Sequence, residues 1–253
     1  MIRITSALLL LFISAPCWAQ FWIEPAVNFG TTRLEWGPVS MKASKPSWEI
    51  KGGTSQIFFA RPVSFINVQA SFTSGVRCQR EILVENLESP LTISGQTFGK
   101  KNGQAKGQAQ AGQGSQETVV VDVEVSRASI QFSQRRAPSL FGGGGDGFLI
   151  LRCERMVLSV TASGKVEGKQ VEATEAFTRL YPQVGLAYVH REGRALVSVM
   201  GTVGQRSSHL EANLNWNVYP DVWIGIGGKR DCLGFDQGRV ESAVFTLKGG
   251  VTW

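Results

Sequence analysis

The carboxy-terminal third of the chain alternates apolar and polar positions with a period of two, the pattern of a β-strand with one apolar face. Between residues 182 and 253 such stretches are joined by short links at 191–193 and at Pro220. This predicts a five-stranded antiparallel meander. Its clearest strand has one apolar row and one polar row opposite it. The apolar row is Leu210, Ala212, Leu214, Trp216 and Val218.

The remainder of the chain predicts further strands of less regular pattern. After Arg127 the apolar set changes from odd to even positions, which predicts a bulge or a bend. The fold class is therefore predicted as all-β, an antiparallel up-and-down transmembrane barrel of about 10 strands. Eight or twelve strands also fit, because the link at 135–146 is long and 81–87 could add a hairpin. The predicted strands are 22–35, 47–60, 63–75, 117–134, 147–162, 173–190, 194–204, 208–219, 221–229 and 239–253.

The amino end has the features of a secretory signal peptide. Arg3 supplies positive charge, residues 7–13 are an apolar core too short to span a bilayer, and Cys17-Trp18-Ala19 offers small residues before Gln20. We expect cleavage after Ala19, which makes 1–19 the signal and 20–253 the barrel. A lipoprotein reading of Cys17 is weaker, because Ser14-Ala15-Pro16 departs from the usual lipobox.

Composition separates one segment from the strands. Residues 96–116 are rich in Gly, Gln and Lys and contain no acidic residue, so they predict a flexible loop on the outer side. A second loop is predicted at 230–238, while short turns at 61–62, 191–193 and 220 are expected on the periplasmic side. The whole chain has 26 basic and 20 acidic residues without a basic stripe interleaved with aromatics, which argues against nucleic-acid binding.

The cysteines and histidines offer little for a metal or cofactor. An exported chain would hold Cys78, Cys153 and Cys232, an odd number whose disulfide pairing stays open. No pair has the spacing of a zinc site, and only two histidines are present. We therefore expect no cofactor and no metal.

Together these features resemble a small Gram-negative outer-membrane β-barrel protein. The signal, the 182–253 meander and the terminal aromatic carry the resemblance, with Trp in place of the more usual Phe and Gly249 where a larger apolar residue is common. The resemblance implies outer-membrane localisation, contact with lipid and lipopolysaccharide, and recognition by the barrel-assembly machinery. No protein partner is indicated. The residues that would form the assembly signal and rim anchor are Phe245, Leu247, Val251 and Trp253.

Tryptophans near predicted strand ends suggest an aromatic girdle at the membrane interface. The candidates are Trp22, Trp216 and Trp223. Packing in the core of a soluble sandwich would suit Trp216 equally well.

One set of residues resembles catalytic chemistry by type. Ser207, His209 and Glu211 would share a face of one strand, whereas Ser208 would point away from His209. A polar loop that enters a strand explains these residues more simply. Asp122 and Glu124 share a face that could be lumenal, where ion pairs with arginine are the simplest role.

These observations predict a non-enzymatic outer-membrane barrel with a structural, surface-interaction or narrow-channel role. The alternative is a soluble periplasmic or secreted β-sandwich binding protein, which the charged and valine-rich 117–134 segment supports. A lipid-modifying barrel enzyme that depends on His209 is a third and less favoured hypothesis.

Overall fold

The described part of the chain is built from β-strands. A computed structural model describes residues 19–56, 66–83, 87, 90–98, 118–136, 145–166 and 169–253. The regular elements within these ranges are thirteen strands. They are β1 (Ala19–Trp36), β2 (Val39–Ala43), β3 (Ser47–Gln56), β4 (Ile66–Leu83), β5 (Leu91–Ile93), β6 (Gln96–Phe98), β7 (Thr118–Arg136), β8 (Asp146–Val166), β9 (Lys169–Glu192), β10 (Ala195–Gly204), β11 (Ser207–Tyr219), β12 (Val222–Phe235) and β13 (Gly238–Thr252).

Ten of these strands close into an antiparallel barrel, which confirms the predicted architecture and rules out the sandwich. The order is β13-β12-β11-β10-β9-β8-β7-β4-β3-β1, and β1 pairs with β13 to complete the ring. Strands β2 and β3 lie end to end beside β1. Strand β3 pairs with β1 up to Asn28, and β2 pairs with β1 from Thr32 onward. The break at 44–46 therefore interrupts one long strand and adds no further barrel strand.

The two ends of the barrel differ. At one end, which we call the terminal end, Trp22 of β1 pairs with Thr252 of β13. Two-residue turns at 193–194 and 220–221 lie there as predicted, and Gly193 takes the left-handed conformation (φ 58°) that suits glycine. At the opposite hairpin end, β1–β2, β10–β11 and β12–β13 also close by two-residue turns, while β8 and β9 extend furthest.

An apolar belt surrounds the outside of the barrel. Along β11 it runs from Leu210 to Val218, about 27 Å at the usual rise per residue. Every barrel strand contributes, because alternate residues point outward. One outward member from each of the ten strands is Phe29, Ile50, Phe72, Ile130, Leu151, Leu186, Val199, Leu214, Ile224 and Leu247.

The interior has two layers of opposite polarity. Behind the belt, the inward positions carry buried polar and charged side chains, among them Glu24, Lys51 and His209. Toward the hairpin end the inward positions become apolar, and the β5–β6 hairpin packs among them. We call this second layer the head core: Leu34, Trp36, Val39, Met41, Cys78, Leu91, Ile93, Phe98, Val119, Val121, Val123, Val125, Met156, Leu158, Val160, Leu233 and Val240.

The change of apolar phase at Arg127 is explained by these layers and not by a bulge in β7. Strand β7 pairs with β8 without interruption from Val119 to Arg136. Its odd positions face inward throughout, but they are valine in the head core and polar below it. The register shift in this region lies in the pairing of β4 with β7, between Thr73 and Val76 of β4.

Three other sequence predictions need correction. The predicted 230–238 loop is strand up to Phe235, followed by a two-residue turn. Strand β4 extends to Leu83, so residues 81–83 belong to a barrel strand. Residues 96–98 form β6. Residues 99–117, the 61–62 turn, most of the 135–146 link and residues 1–18 of the predicted signal lie outside the described residues. No helix in the described ranges is long and apolar enough to span a membrane.

Candidate functional site

The most concentrated chemistry lies inside the barrel around His209. Inward-facing His209 of β11 is paired in register with Asp231 of β12, and its side chain is only 2% exposed. Its Nδ1 contacts the Asp231 carboxylate, and its Nε2 lies 3.3 Å from Oε2 of Glu211. The imidazole is thus held between two buried carboxylates.

Two further strands complete this cluster from the opposite wall. Arg127 of β7 donates from Nη1 to Oδ2 of Asp231 at 2.7 Å and lies 3.7 Å from Oε1 of Glu154. Arg152 lies two residues before Glu154 on β8 and donates to its Oε2 at 3.3 Å. The cluster therefore ties β7 and β8 to β11 and β12 across the interior.

Further ion pairs continue toward the terminal end. Lys51 donates to Glu211 at 2.5 Å, so Glu211 links the two sets of ion pairs. Lys229 donates to Glu49 at 2.6 Å. Nearer the terminal end, Lys248 lies 3.2 Å from Glu24. Because buried charges are stable only when paired, this network satisfies charges that water would otherwise have to solvate.

The network is balanced in charge, which favours a structural role. Its bases and acids are equal in number before His209 is counted: Lys51, Arg127, Arg152, Lys229 and Lys248 against Glu24, Glu49, Glu154, Glu211 and Asp231. Each carboxylate has a cationic partner, so none is left unpaired to act on a substrate. The arrangement holds strands at fixed separation.

The predicted Ser207-His209-Glu211 set is brought onto one face but not into a catalytic arrangement. All three residues are buried and face inward. Both ring nitrogens of His209 contact carboxylates, and the Ser207 hydroxyl has no hydrogen-bond partner within the described structure. A nucleophile needs its hydroxyl proton accepted by the base, and that contact is missing here.

Asp122 and Glu124 are outward-facing and do not line the lumen. Asp122 pairs with Arg77 of β4 on the outer surface. These two carboxylates therefore do not occupy the lumenal face that the sequence left open, because the inward face of this part of β7 belongs to the head core.

The cysteines remain separate from one another. Cys78 is buried in the head core, whereas Cys153 and Cys232 lie on the outer face, and all three are free thiols. Burial raises the pKa of the Cys78 thiol, which keeps it protonated. Among the described residues, no group of three His, Cys, Asp or Glu side chains is placed to hold a metal ion.

The predicted assembly-signal residues share the outward face of β13. Their exposed fractions place them in the apolar belt, with Trp253 at the terminal end 66% exposed. The backbone N–H and carbonyl of Trp253 exchange hydrogen bonds with Phe21 at 3.0 and 3.1 Å, which joins β13 to β1. Their role in assembly stays a prediction. The four residues are Phe245, Leu247, Val251 and Trp253.

The three girdle tryptophans divide between the two faces of the sheet. Trp216 is 51% exposed on the outer surface, as a girdle requires. Trp223 faces inward, and its indole N–H donates to Oε2 of Glu24 at 3.3 Å. Trp22 lies on the same inward face of β1 as Glu24. Trp216 therefore faces outward, as predicted for a girdle residue. The girdle prediction is wrong for Trp22 and Trp223, which line the interior near the terminal end.

Sequence reasoning missed Lys229 and Asp231, because the charged run 229–231 resembles a loop. The strand alternation continues through it: Lys229, Asp231 and Leu233 face inward while Arg230 faces outward. A continued period-two reading beyond Gly228 would have found both charged positions.

The fold is similar to solved outer-membrane proteins. No protein-family model matches the sequence, and no curated protein matches it. The outer membrane protease OmpT from Escherichia coli aligns with a TM-score of 0.51 at 8% identity, over 92% of this chain and 97% of that chain. The translocator domain of the autotransporter NalP from Neisseria meningitidis aligns at 0.45 and 10% identity, over 98% and 94%. Ail from Yersinia pestis aligns at 0.35 and 10% identity, over 92% and 98%. All three are Gram-negative outer-membrane β-barrels, and the likeness to OmpT is one of fold.

Proposed function

We propose that this chain is a non-enzymatic outer-membrane barrel with a sealed interior, which presents its hairpin end at the cell surface for interaction. The observation that carries the proposal is the head core. Residues such as Val121, Leu158 and Ile93 are completely buried inside the hairpin end, so apolar side chains occupy the space that a channel would need.

The apolar belt supports the outer-membrane location. Its length of about 27 Å along β11 corresponds to a height of about 21 Å at a strand tilt of about 40°, close to the band of about 25 Å typical of outer-membrane barrels. The terminal end, with its short turns, corresponds to the periplasmic side, and the hairpin end to the outside. The outward Asp122, Glu124 and Arg77 then lie in water, which their charges favour.

A narrow-channel role is disfavoured by both interior layers. Solute would have to pass the head core and then the paired charges below it. The two layers differ in chemistry but both fill the lumen with side chains, as expected for a barrel of this size.

An enzymatic role through His209 is disfavoured by access. The ring is 2% exposed and lies beneath the head core, and both of its nitrogens face carboxylates. A membrane lipid outside the barrel would reach the outward face of β11, where Leu210 lies, and not the inward face.

Conductance in planar lipid bilayers tests the sealed interior. We expect the refolded protein, shown by heat-modifiable gel migration to be inserted, to give no discrete conductance steps. An open porin added to the same bilayer provides the positive control. Stable single-channel steps from the wild-type protein would refute the sealed barrel and restore the channel hypothesis.

A further inference from the structure

A group of basic side chains lies on the outer surface just beyond the apolar belt, toward the hairpin end. It spans β12, β13, β1, β2 and the β2–β3 break. We call it the cationic patch: Arg33, Lys42, Lys45, Arg230 and Arg239. These five side chains accompany two outward carboxylates, Glu35 and Glu241, which leaves a net charge of +3.

Part of the patch is neutralised internally. Arg239 donates from Nε to Oε2 of Glu35 at 2.8 Å and lies 3.3 Å from Glu241. Arg33 lies 3.1 Å from Glu35. The hydrogen bond from Arg239 lowers the pKa of the Glu35 carboxyl, so it stays ionised near neutral pH. These four side chains therefore balance one another.

Three cations remain without such a partner. Lys42, Lys45 and Arg230 are exposed, and none of them forms a salt bridge with a described residue. Lys42 is also paired directly with Arg33 across β1 and β2. Like charges at directly opposed positions destabilise a sheet, and an anion between them would remove that cost.

The patch has the position that an anionic amphiphile requires. Phe29 lies on the same outward face of β1 as Arg33, four residues nearer the terminal end, and is 42% exposed. Phe245 of β13 is paired with Phe29 and is 47% exposed. Arg230 and Lys42 are separated by β13 and β1, about 14 Å at the usual spacing of strands. A headgroup with more than one anionic group could contact both sides while its apolar chains cover the belt below.

We propose that the cationic patch binds the phosphate groups of lipid A, the membrane anchor of lipopolysaccharide, in the outer leaflet. The guanidinium of Arg230 and the ammonium groups of Lys42 and Lys45 form charge-assisted hydrogen bonds with phosphate oxygens. The acyl chains lie against Phe29 and Phe245. This inference depends on the proposed function, because only an outward hairpin end meets that leaflet.

The test is binding of lipid A to the folded, detergent-solubilised protein, measured by native mass spectrometry. The patch variant is Lys42→Gln/Lys45→Gln/Arg230→Gln. A control of equal charge change away from the patch is Lys165→Gln/Lys169→Gln/Arg194→Gln, whose three side chains are also exposed. Heat-modifiable migration establishes that each variant is folded.

We expect the patch variant to bind lipid A about tenfold more weakly, which corresponds to about 1.4 kcal/mol shared among three exposed contacts. The control should bind like the wild type, and dephosphorylated lipid A should bind the wild type as weakly as lipid A binds the patch variant. Equal affinity of the patch variant and the control would overturn the assignment. Displacement of lipid A by an equimolar amount of inorganic phosphate would also overturn it, because the apolar chains would then contribute nothing.

The proposed function fails by a different result. If the protein does not fractionate with the outer membrane, its placement there is wrong whatever the binding experiment gives. If it does fractionate there and the patch variant binds lipid A normally, only the lipid A assignment is refuted.

Discussion

Val125 and Arg127 lie two residues apart on the same inward face of β7, yet they belong to opposite environments. Val125 packs in the head core, whereas Arg127 donates to buried Asp231 at 2.7 Å. The boundary between the two interior layers therefore falls within one residue pair. Below it the outside is apolar and the inside polar, and above it the pattern is reversed, as in a water-soluble β protein.

The head core should contribute strongly to stability. Leu158 is fully buried, so Leu158→Ala should lower the free energy of unfolding by about 2–5 kcal/mol through lost burial and a residual cavity. Urea titration of the protein in phospholipid vesicles would measure this. Leu214→Ala is the matched control, because Leu214 is 45% exposed on the belt and leaves no internal cavity. Equal losses in both variants would show that the hairpin end is not packed.

Asp231 should be critical to the charged network. Asp231→Asn removes the negative charge that faces Arg127 and His209, and breaking a buried ion pair typically costs about 3–5 kcal/mol. The measurement is the same urea titration. Asp122→Asn is the control, since Asp122 pairs with the exposed Arg77 and such surface pairs contribute little. A stable Asp231→Asn protein would mean that the interior charges are hydrated and not mutually paired.

The side chain of Trp253 should affect barrel assembly. Trp253→Ser places a small polar group at an outward position that is 66% exposed at the terminal end, and we expect less heat-modifiable, folded protein in the outer membrane. Trp253→Phe should restore the wild-type amount because the aromatic ring is kept. If serine and phenylalanine variants assemble equally well, the assembly-signal hypothesis for this residue is wrong.

The orientation of the barrel can be read by labelling intact cells with a membrane-impermeant maleimide. In a background with Cys153 and Cys232 changed to serine, Glu172→Cys near the tip of the hairpin end should be labelled. Asp221→Cys in the turn at the terminal end should react only after the cells are broken. Glu172 and Asp221 are both exposed, so a difference in labelling between the two cysteine variants would not come from burial of either position. The reverse result would place the hairpin end in the periplasm.

The stability of the protein should depend on pH through Asp236, which lies outside the belt. It lies in the β12–β13 turn. A hydrogen bond from Arg206 at 2.5 Å is the main cause that lowers the pKa of its carboxyl, and Arg179, at 3.3 Å, lowers it further. Its contribution to stability is therefore present above the ordinary pKa of aspartate and is lost as the pH falls through the lowered value. Asp236→Asn should unfold slightly below the wild type in thermal melts at neutral pH. The two curves should converge in strong acid, and a difference that persists there would refute the ion pair.

The sequence was sufficient for the barrel and for much of its strand order. The period-two alternation in 182–253 predicted β10, β11 and β13 closely, because lipid on one side and polar side chains on the other impose a strict pattern. The same expectation failed for β12 beyond Gly228. Lys229 and Asp231 are charged, and only the partner strands show that Glu49 and Arg127 satisfy them.

The candidate site was only partly predictable for a related reason. Ser207, His209 and Glu211 share a face by simple periodicity, but the partner of His209 is set by register with β12. The head core was hidden because its valines face the interior while the same face of β7 is polar lower down. No single rule that places apolar residues on one side of the sheet along the whole chain can describe both the head core and the polar layer below it.

The reversal at Arg127 also fixes how deeply the protein sits in a bilayer. A shift of the barrel in the direction of its terminal end by one residue pair, about 7 Å along a strand, would draw Arg155 and Arg230 into hydrocarbon. Arginine within that region costs up to about 2–4 kcal/mol for each side chain. A shift in the other direction would bring Leu210 and Phe245 into water. Opposed penalties above and below thus favour one depth of the barrel in the bilayer.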